Sequence, residues 1–93
     1  MKTVTVQIGN TDGKLTQDMW AAYCEEMDDA IRAESAMVHF KGGPPVWEKW
    51  QNCCWVLLIE ECSTQHLREK LRKLRGKYSQ DSVAWTEGET QFV

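Results

Sequence analysis

The sequence has little that would take the chain into a membrane or out of the cell. Its longest apolar run spans residues 53–59, well short of the roughly 20 residues that a membrane-spanning helix needs. Residues 1–4 alternate polar and β-branched side chains and contain no apolar block of the kind that a signal peptide carries. The sequence therefore predicts a cytoplasmic protein with no membrane partner.

Metal-binding motifs are also scarce. The two histidines, His39 and His66, have no zinc-like spacing to the four cysteines, and no C-x-x-C occurs. Cys53 and Cys54 are adjacent on a predicted strand, so they point to opposite faces and cannot easily share one ion. Because an export signal is missing, we expect the thiols to stay reduced. The sequence predicts no bound metal and no cofactor.

Catalytic signatures are missing as well. Gly9, Gly42 and Gly43 lack the accompanying Lys-Ser/Thr, or the G-x-x-G spacing, of a phosphate-binding loop. The best-placed pair for nucleophilic catalysis is Cys62 with His66, at the start of a predicted helix, a location that favours a thiolate. A partly buried, inert thiol is the commoner role for such a cysteine. We therefore predict that the protein is not an enzyme.

What is present describes one globular domain. The 93 residues are 42% hydrophobic and 27% charged, which is typical of folded proteins and not of disordered ones. We expect a single domain spanning residues 1–93. The formal net charge of −3 gives no general attraction to a nucleic-acid backbone.

The periodicity of the apolar residues predicts six secondary-structure elements. Val4, Val6 and Ile8 alternate with polar residues, as in a strand with one covered face. Apolar residues also recur at helical spacing after Thr16, which has the side chain of an N-cap. In chain order the predicted elements are a strand at 3–9, a helix at 16–34, a strand at 36–41, a strand at 52–60, a helix that begins at Ser63 or Thr64 and ends near Tyr78, and a strand at 82–86.

This β-α-β-β-α-β order predicts an α+β fold. With right-handed crossovers the order becomes a two-layer ferredoxin-like βαββαβ sandwich, in which both helices cover one face of the sheet and the other face stays open. We expect the central pair of strands to be parallel and the other pairs antiparallel. A two-layer α+β domain of another connectivity is the alternative. The tail at 87–93 adds a strand, covers the open face or frays.

The two predicted helices carry opposite charge. The first has six acidic residues against Arg32 alone, and the second has six basic residues against Glu69 alone. One interpretation is that the helices lie side by side and pair across their shared edge. The other is that the basic helix meets phosphates or an acidic partner. The basic residues that we expect to contact a partner are Arg68, Arg72 and Arg75.

Five tryptophans are present, a large number for a chain of this length. Trp47 and Trp50 fall in the loop between the second and third strands, where they either cap the core as an aromatic cluster or anchor a partner. The third strand is apolar on both faces, and one face is expected to join an exposed apolar patch. The predicted patch on the open face consists of Trp55, Leu57, Ile59 and Met37. Such a patch predicts a homodimer through the sheet or a protein partner that covers it.

Three stretches of the sequence, at 8–17, 50–55 and 80–85, together resemble a group of small, mostly uncharacterised proteins carried by actinobacteria and their bacteriophages. The resemblance covers about a third of the chain and implies no catalytic motif. It implies a context, since small phage proteins of this kind often bind and redirect a host protein. One such activity is inhibition of a host growth, division or defence factor.

Together these observations predict a non-enzymatic, phage-encoded interaction protein that binds a host protein in the host cytoplasm. Trp47, Trp50 and Trp55 are the expected anchors, and the basic face of the second helix is expected to supply electrostatic steering. The alternative is a nucleotide or nucleic-acid binding module that uses this helix together with the loop at 10–14. Salt distinguishes the two functions, because phosphate binding weakens steeply with ionic strength.

Overall fold

A computed structural model describes residues 1–45 and 51–93 of the chain. The described residues form four strands and two α-helices, and the predicted α+β class is confirmed. A short 3₁₀ turn at Glu61–Ser63 precedes the second helix. In chain order the elements are β1 (Lys2–Gly9), α1 (Gln17–Glu34), β2 (Met37–Gly42), β3 (Asn52–Ile59), α2 (Thr64–Lys77) and β4 (Ala84–Gly88).

The four strands form one sheet in the order β2-β3-β1-β4, and each neighbouring pair is antiparallel. The predicted parallel central pair is therefore wrong, because β1 and β3 run in opposite directions with Thr5 opposite Val56. The reason lies in the chain path. The connection through α1 brings β2 back parallel to β1, and β3 then reverses direction and inserts between them.

Helix α1 begins where the sequence predicts. The Thr16 side chain accepts a hydrogen bond from the Met19 backbone N–H at 3.3 Å, and Asp18 lies in the first turn, where the helix dipole favours an anion. Tyr23, Met27 and Ile31 recur at helical spacing and are buried. This apolar stripe holds α1 against the sheet because its burial removes large side chains from water.

Both helices cover the same face of the sheet. Their buried residues join inward-facing residues of β1 and β3 in one hydrophobic core. From α2 the core receives Leu67 and Leu71, which lie one turn apart. The strand residues of this core are Val4, Val6, Ile8, Cys53, Trp55, Leu57 and Ile59. Among the described residues, neither helix is long and apolar enough to cross a membrane.

The C-terminal tail does not extend the sheet. Residues 89–93 form no helix or strand, and Phe92 is almost fully exposed. The Thr90 hydroxyl contacts the hydroxyl of Thr3, which lies on the uncovered side of β1. The tail thus approaches that side at β1 but leaves the side chains of β2 uncovered.

Candidate functional site

The three β3 side chains of the predicted open patch lie on the face of the strand that the helices cover. Trp55, Leu57 and Ile59 are fully buried beneath the helices, so the prediction that they are exposed is wrong. Since β3 is apolar on both faces, its own sequence cannot indicate which face the helices cover. The pairing with β1 decides this, because Trp55 lies opposite Val6 and Leu57 opposite Val4, and paired residues share a face.

The Trp55 side chain is fixed within the core by a polar contact. Its indole Nε1–H donates a hydrogen bond to Asp28 Oδ1 of α1 at 2.9 Å. Burial acts to raise the pKa of Asp28, but hydrogen bonds from Trp55 and Arg32 and the charge of Lys41 outweigh it, and the pKa is lowered. Trp55 therefore secures α1 to the sheet and is not a partner-binding anchor.

A different set of apolar side chains occupies the open face. Met37 and Phe40 of β2 are 55% and 54% exposed, and they lie opposite Leu58 and Val56 of β3. Cys54 continues the row toward the end of the sheet. We call this surface the apolar half-face, and it consists of Met37, Phe40, Cys54, Val56 and Leu58. Met37 is the one member of the predicted patch that lies on it.

Phe40 reaches this face because of a β-bulge. The register between β2 and β3 shifts between Val38 and Phe40, so that His39 is the extra residue. Simple alternation predicts Phe40 on the side of Val38 and Lys41 on the side of Met37. The bulge reverses both, and Lys41 instead lies on the helix side opposite Trp55, with its Nζ 3.5 Å from Asp28 Oδ1.

The open face is free of charged strand residues across the described part of the sheet. Beside the apolar half-face it presents Thr3, Thr5 and Gln7 of β1 and Ala84 and Thr86 of β4, as the strand pairing places them. The charged residues Lys2, Lys41 and Glu87 of the described strands lie instead on the face that the helices cover. Depletion of charge is a property of the central part of protein–protein interfaces.

The phenyl ring of Phe40 lies over the neighbouring glycine of β2. A Cβ atom built on Gly42 comes within 2.7 Å of the Phe40 ring, so a larger residue at this position requires the ring to move. The missing side chain at Gly42 leaves the space that the ring occupies. This arrangement gives an aromatic surface beside Val56.

The three arginines predicted to contact a partner lie together, but far from the apolar half-face. Arg68, Arg72 and Arg75 line a cleft of about 290 Å³ between α2 and β4. The Arg68 guanidinium stands over the Trp85 ring, 5.5 Å from its centroid. Arg75 donates hydrogen bonds to the backbone carbonyls of Gln80 and Asp81, and Arg72 pairs with Glu69 at 2.6 Å. We call this surface the arginine cleft.

The lysines of α2 face the other way, toward α1. Lys70 Nζ lies 2.6 Å from Glu34 Oε1, and Lys77 Nζ lies 2.6 Å from Glu26 Oε1. The hydrogen bond from Lys70 lowers the pKa of Glu34, and those from Lys77 and the Tyr78 hydroxyl lower the pKa of Glu26. Pairing between the helices thus accounts for part of the charge of α2 and leaves the arginines on a separate face.

The loop at 10–14 is held by its own contacts. The Asn10 side chain is buried and exchanges hydrogen bonds of 2.9 Å with the backbone of Leu15. Lys14 Nζ lies 3.7 Å from a carboxylate oxygen of Asp12 and 3.5 Å from one of Asp81. Because its ammonium group already faces two carboxylates, this loop offers little positive charge to a phosphate.

The other two sites that the sequence predicts are the loop tryptophans and the pair of Cys62 and His66. Trp47 and Trp50 lie outside the described residues. Cys62 is exposed in the 3₁₀ turn, and His66 Nε2 lies 3.4 Å from Glu34 Oε1. In the described ranges 1–45 and 51–93, no group of three or more His, Cys, Asp or Glu side chains has the arrangement of a metal site.

Comparison with known proteins adds no family to this description. No protein-family model matches the chain, and no curated protein matches it in sequence.

Proposed function

We propose that the protein is a non-enzymatic interaction module that binds a host protein through the open face of its sheet and so inhibits or redirects it. The observation that carries this proposal is the combination of exposed Met37 and Phe40 with a sheet face on which the described strands place no charged residue. An apolar, uncharged surface of this kind is costly to leave in water and is favourable to cover with another protein.

We further propose that the fold is the ferredoxin-like sandwich. Its support is the β-α-β-β-α-β element order together with the strand order β2-β3-β1-β4 and antiparallel pairing throughout. In that architecture the helices leave one whole sheet face for binding, which suits a module whose contacts are made by strand residues.

The apolar half-face is the proposed centre of the contact. Phe40 combines a large apolar area with few rotatable bonds, so fixing it at an interface loses little conformational entropy. The threonines and Gln7 on the other half of the face supply neutral hydrogen-bonding groups around it. The resemblance to small proteins of actinobacteria and their bacteriophages supports a host protein as the occupant.

Binding to an isolated partner tests this proposal. The partner is captured from an actinobacterial lysate after nuclease treatment, purified, and titrated calorimetrically against the wild-type protein and the Phe40→Lys variant. We expect Phe40→Lys to weaken binding about 30-fold or more, because it places a charge at an apolar contact worth about 2 kcal/mol. Met19→Lys is the matched control, since Met19 is also a large exposed apolar residue but lies on α1.

The outcomes separate the alternatives. Equal loss in both variants, or none in either, would contradict binding at the open face. If light scattering of the purified protein detects a dimer that Phe40→Lys dissociates, the occupant of the open face is a second copy of the chain. Recovery of nucleic acid alone in the absence of nuclease would contradict the proposal of a protein partner.

The second candidate function is binding of a nucleotide or nucleic acid in the arginine cleft. The observation in its favour is the convergence of Arg68, Arg72 and Arg75 beside the Trp85 ring. Binding of a fluorescent oligonucleotide should then fall steeply between about 50 and 200 mM salt and be lost in Arg72→Ala. Lys73→Ala is the control, because Lys73 lies on the α1 side of the helix and lines a separate surface.

A further inference from the structure

The packing of α1 on β3 brings two cysteines together. Asp28 of α1 bonds to Trp55 of β3, and this contact fixes the register of the two elements. Cys24 precedes Asp28 by one helical turn, a distance of about 6 Å at 1.5 Å per residue. Cys53 precedes Trp55 by two residues on the same face of β3, about 6.6 Å along the strand. The two similar steps place Cys24 beside Cys53, and Cys24 packs against the core cluster that contains Cys53.

The surroundings of this pair favour a thiolate on Cys53. The neighbouring Cys24 thiol lowers the pKa of Cys53, with Lys41 acting in the same direction, while burial and Asp28 oppose the change. The pKa of Cys24 is raised by the Cys53 thiol and by burial. Cys24 is therefore the protonated partner and Cys53 the nucleophile.

A small oxidant can approach the pair from the surface. Cys53 lines a cavity of about 580 Å³ together with Gln7 and Asp12, and Cys24 is partly exposed and lines another of about 280 Å³. The other two cysteines are placed differently, since Cys54 lies on the open face and Cys62 is exposed in the 3₁₀ turn. Cys24 and Cys53 are thus neighbours, whereas Cys54 and Cys62 are apart, so the second two cysteines serve as a control for the first two.

We propose that Cys24 and Cys53 form a reversible oxidation site, in which hydrogen peroxide converts the two thiols to an intramolecular disulfide that joins α1 to β3. The Cys53 thiolate attacks one peroxide oxygen, and the O–O bond breaks to give a Cys53 sulfenic acid and hydroxide, which takes a proton to become water. The Cys24 sulfur then attacks the Cys53 sulfur. The S–S bond forms, the S–O bond breaks, and the hydroxyl leaves as water with the proton of Cys24.

The reaction balances without another reagent. Two thiols lose two electrons and two protons, and one peroxide becomes two water molecules. A dithiol reductant reverses the product by thiol–disulfide exchange. Because an S–S bond of about 2.05 Å is shorter than the contact between two thiols, formation of the disulfide draws this part of α1 toward β3.

The test uses a variant that retains only the proposed pair, Cys54→Ser with Cys62→Ser. The folded protein is treated with hydrogen peroxide, alkylated under denaturing conditions, and weighed by mass spectrometry. We expect the loss of two hydrogens without alkylation, full alkylation after dithiothreitol, and a higher Tm for the oxidised form. The oxidation rate should rise with pH and then level off, following the Cys53 thiolate, at a lower pH than for an ordinary cysteine.

The matched control is the reciprocal variant, Cys24→Ala with Cys53→Ala, which retains Cys54 and Cys62 and is expected to form no intramolecular disulfide. Peptide mapping of the oxidised wild-type protein without reduction gives an independent result that requires no substitution. A Cys24–Cys53 cross-link in the monomer supports the proposal. Two free thiols at these positions after peroxide treatment, or a Cys54–Cys62 cross-link instead, would overturn it.

Discussion

The two faces of β3 have similar apolar sequences and opposite surroundings. Trp55 and Leu57 are sealed beneath the helices, whereas Val56 and Leu58 are only half-buried on the open face. The difference arises from the partner strand, because β1 is apolar on one side and carries threonine and glutamine on the other. The composition of a central strand therefore does not determine which face forms the core. The alternation of its neighbour does.

Adjacent leucines give the largest expected contrast between the two faces. Leu57→Ala should lower the free energy of unfolding by about 3 kcal/mol, because it removes a fully buried side chain and leaves a cavity. Leu58→Ala should lower it by about 1 kcal/mol or less, because water already reaches that side chain. Urea unfolding of both variants measures the difference, and equal losses would show that the two faces are not distinguished as described.

The contact between Trp55 and Asp28 gives an intermediate effect. Asp28→Asn should cost about 1.5 kcal/mol at neutral pH, because a charge-assisted hydrogen bond to the indole N–H is weakened. The pKa of Asp28 is lower in the folded state than in the unfolded state. Its contribution is therefore complete above the unfolded-state value of about 3.9 and is lost as the pH falls through the folded-state value.

Unfolding measured from neutral to acidic pH checks this prediction. The difference in stability between the wild-type protein and Asp28→Asn should shrink as the pH falls. Asp29→Asn is the control, since its side chain is adjacent in sequence but exposed, and it should change stability little. A difference that stays constant with pH would exclude the charge of Asp28 as its source.

A reciprocal exchange in β1 should also separate the two faces, by a smaller difference in stability than the adjacent leucines. Val6→Thr should destabilise the protein by about 1–2 kcal/mol, because it buries a hydroxyl group in the core. Thr5→Val on the open face should change stability by less than about 0.5 kcal/mol, although it enlarges the apolar half-face. Thermal unfolding ranks the two variants, and light scattering shows whether Thr5→Val also promotes self-association.

Most of the architecture follows from local patterns in the sequence. The helical stripes and the Thr16 cap predict α1, and the alternation of Val4, Val6 and Ile8 predicts both β1 and its buried side. The spacing of Arg68, Arg72 and Arg75 also predicts that they share one face of α2. Each of these features depends on periodicity within a single element.

The errors concern relations between elements. The direction of the central pair depends on where β3 inserts, and the buried face of β3 depends on its register with β1. Simple alternation predicts Phe40 on the wrong side of β2, because a bulge at His39 interrupts the alternation and nothing in the local sequence marks that bulge. Such features depend on pairing between residues that are distant in sequence. The periodicity of a single element carries no information about that pairing.

The bulge in β2 has a consequence for how the protein tolerates changes in length. His39 is the extra residue of an edge strand, so a chain that lacks it keeps Met37, Phe40 and Lys41 on their present sides in a regular ladder. β3 is paired along both edges, and loss of one codon there would exchange its two faces and turn Trp55 toward solvent. Deletion of one residue should therefore be tolerated in β2, at the edge of the sheet, and should disrupt the fold in β3, at its centre.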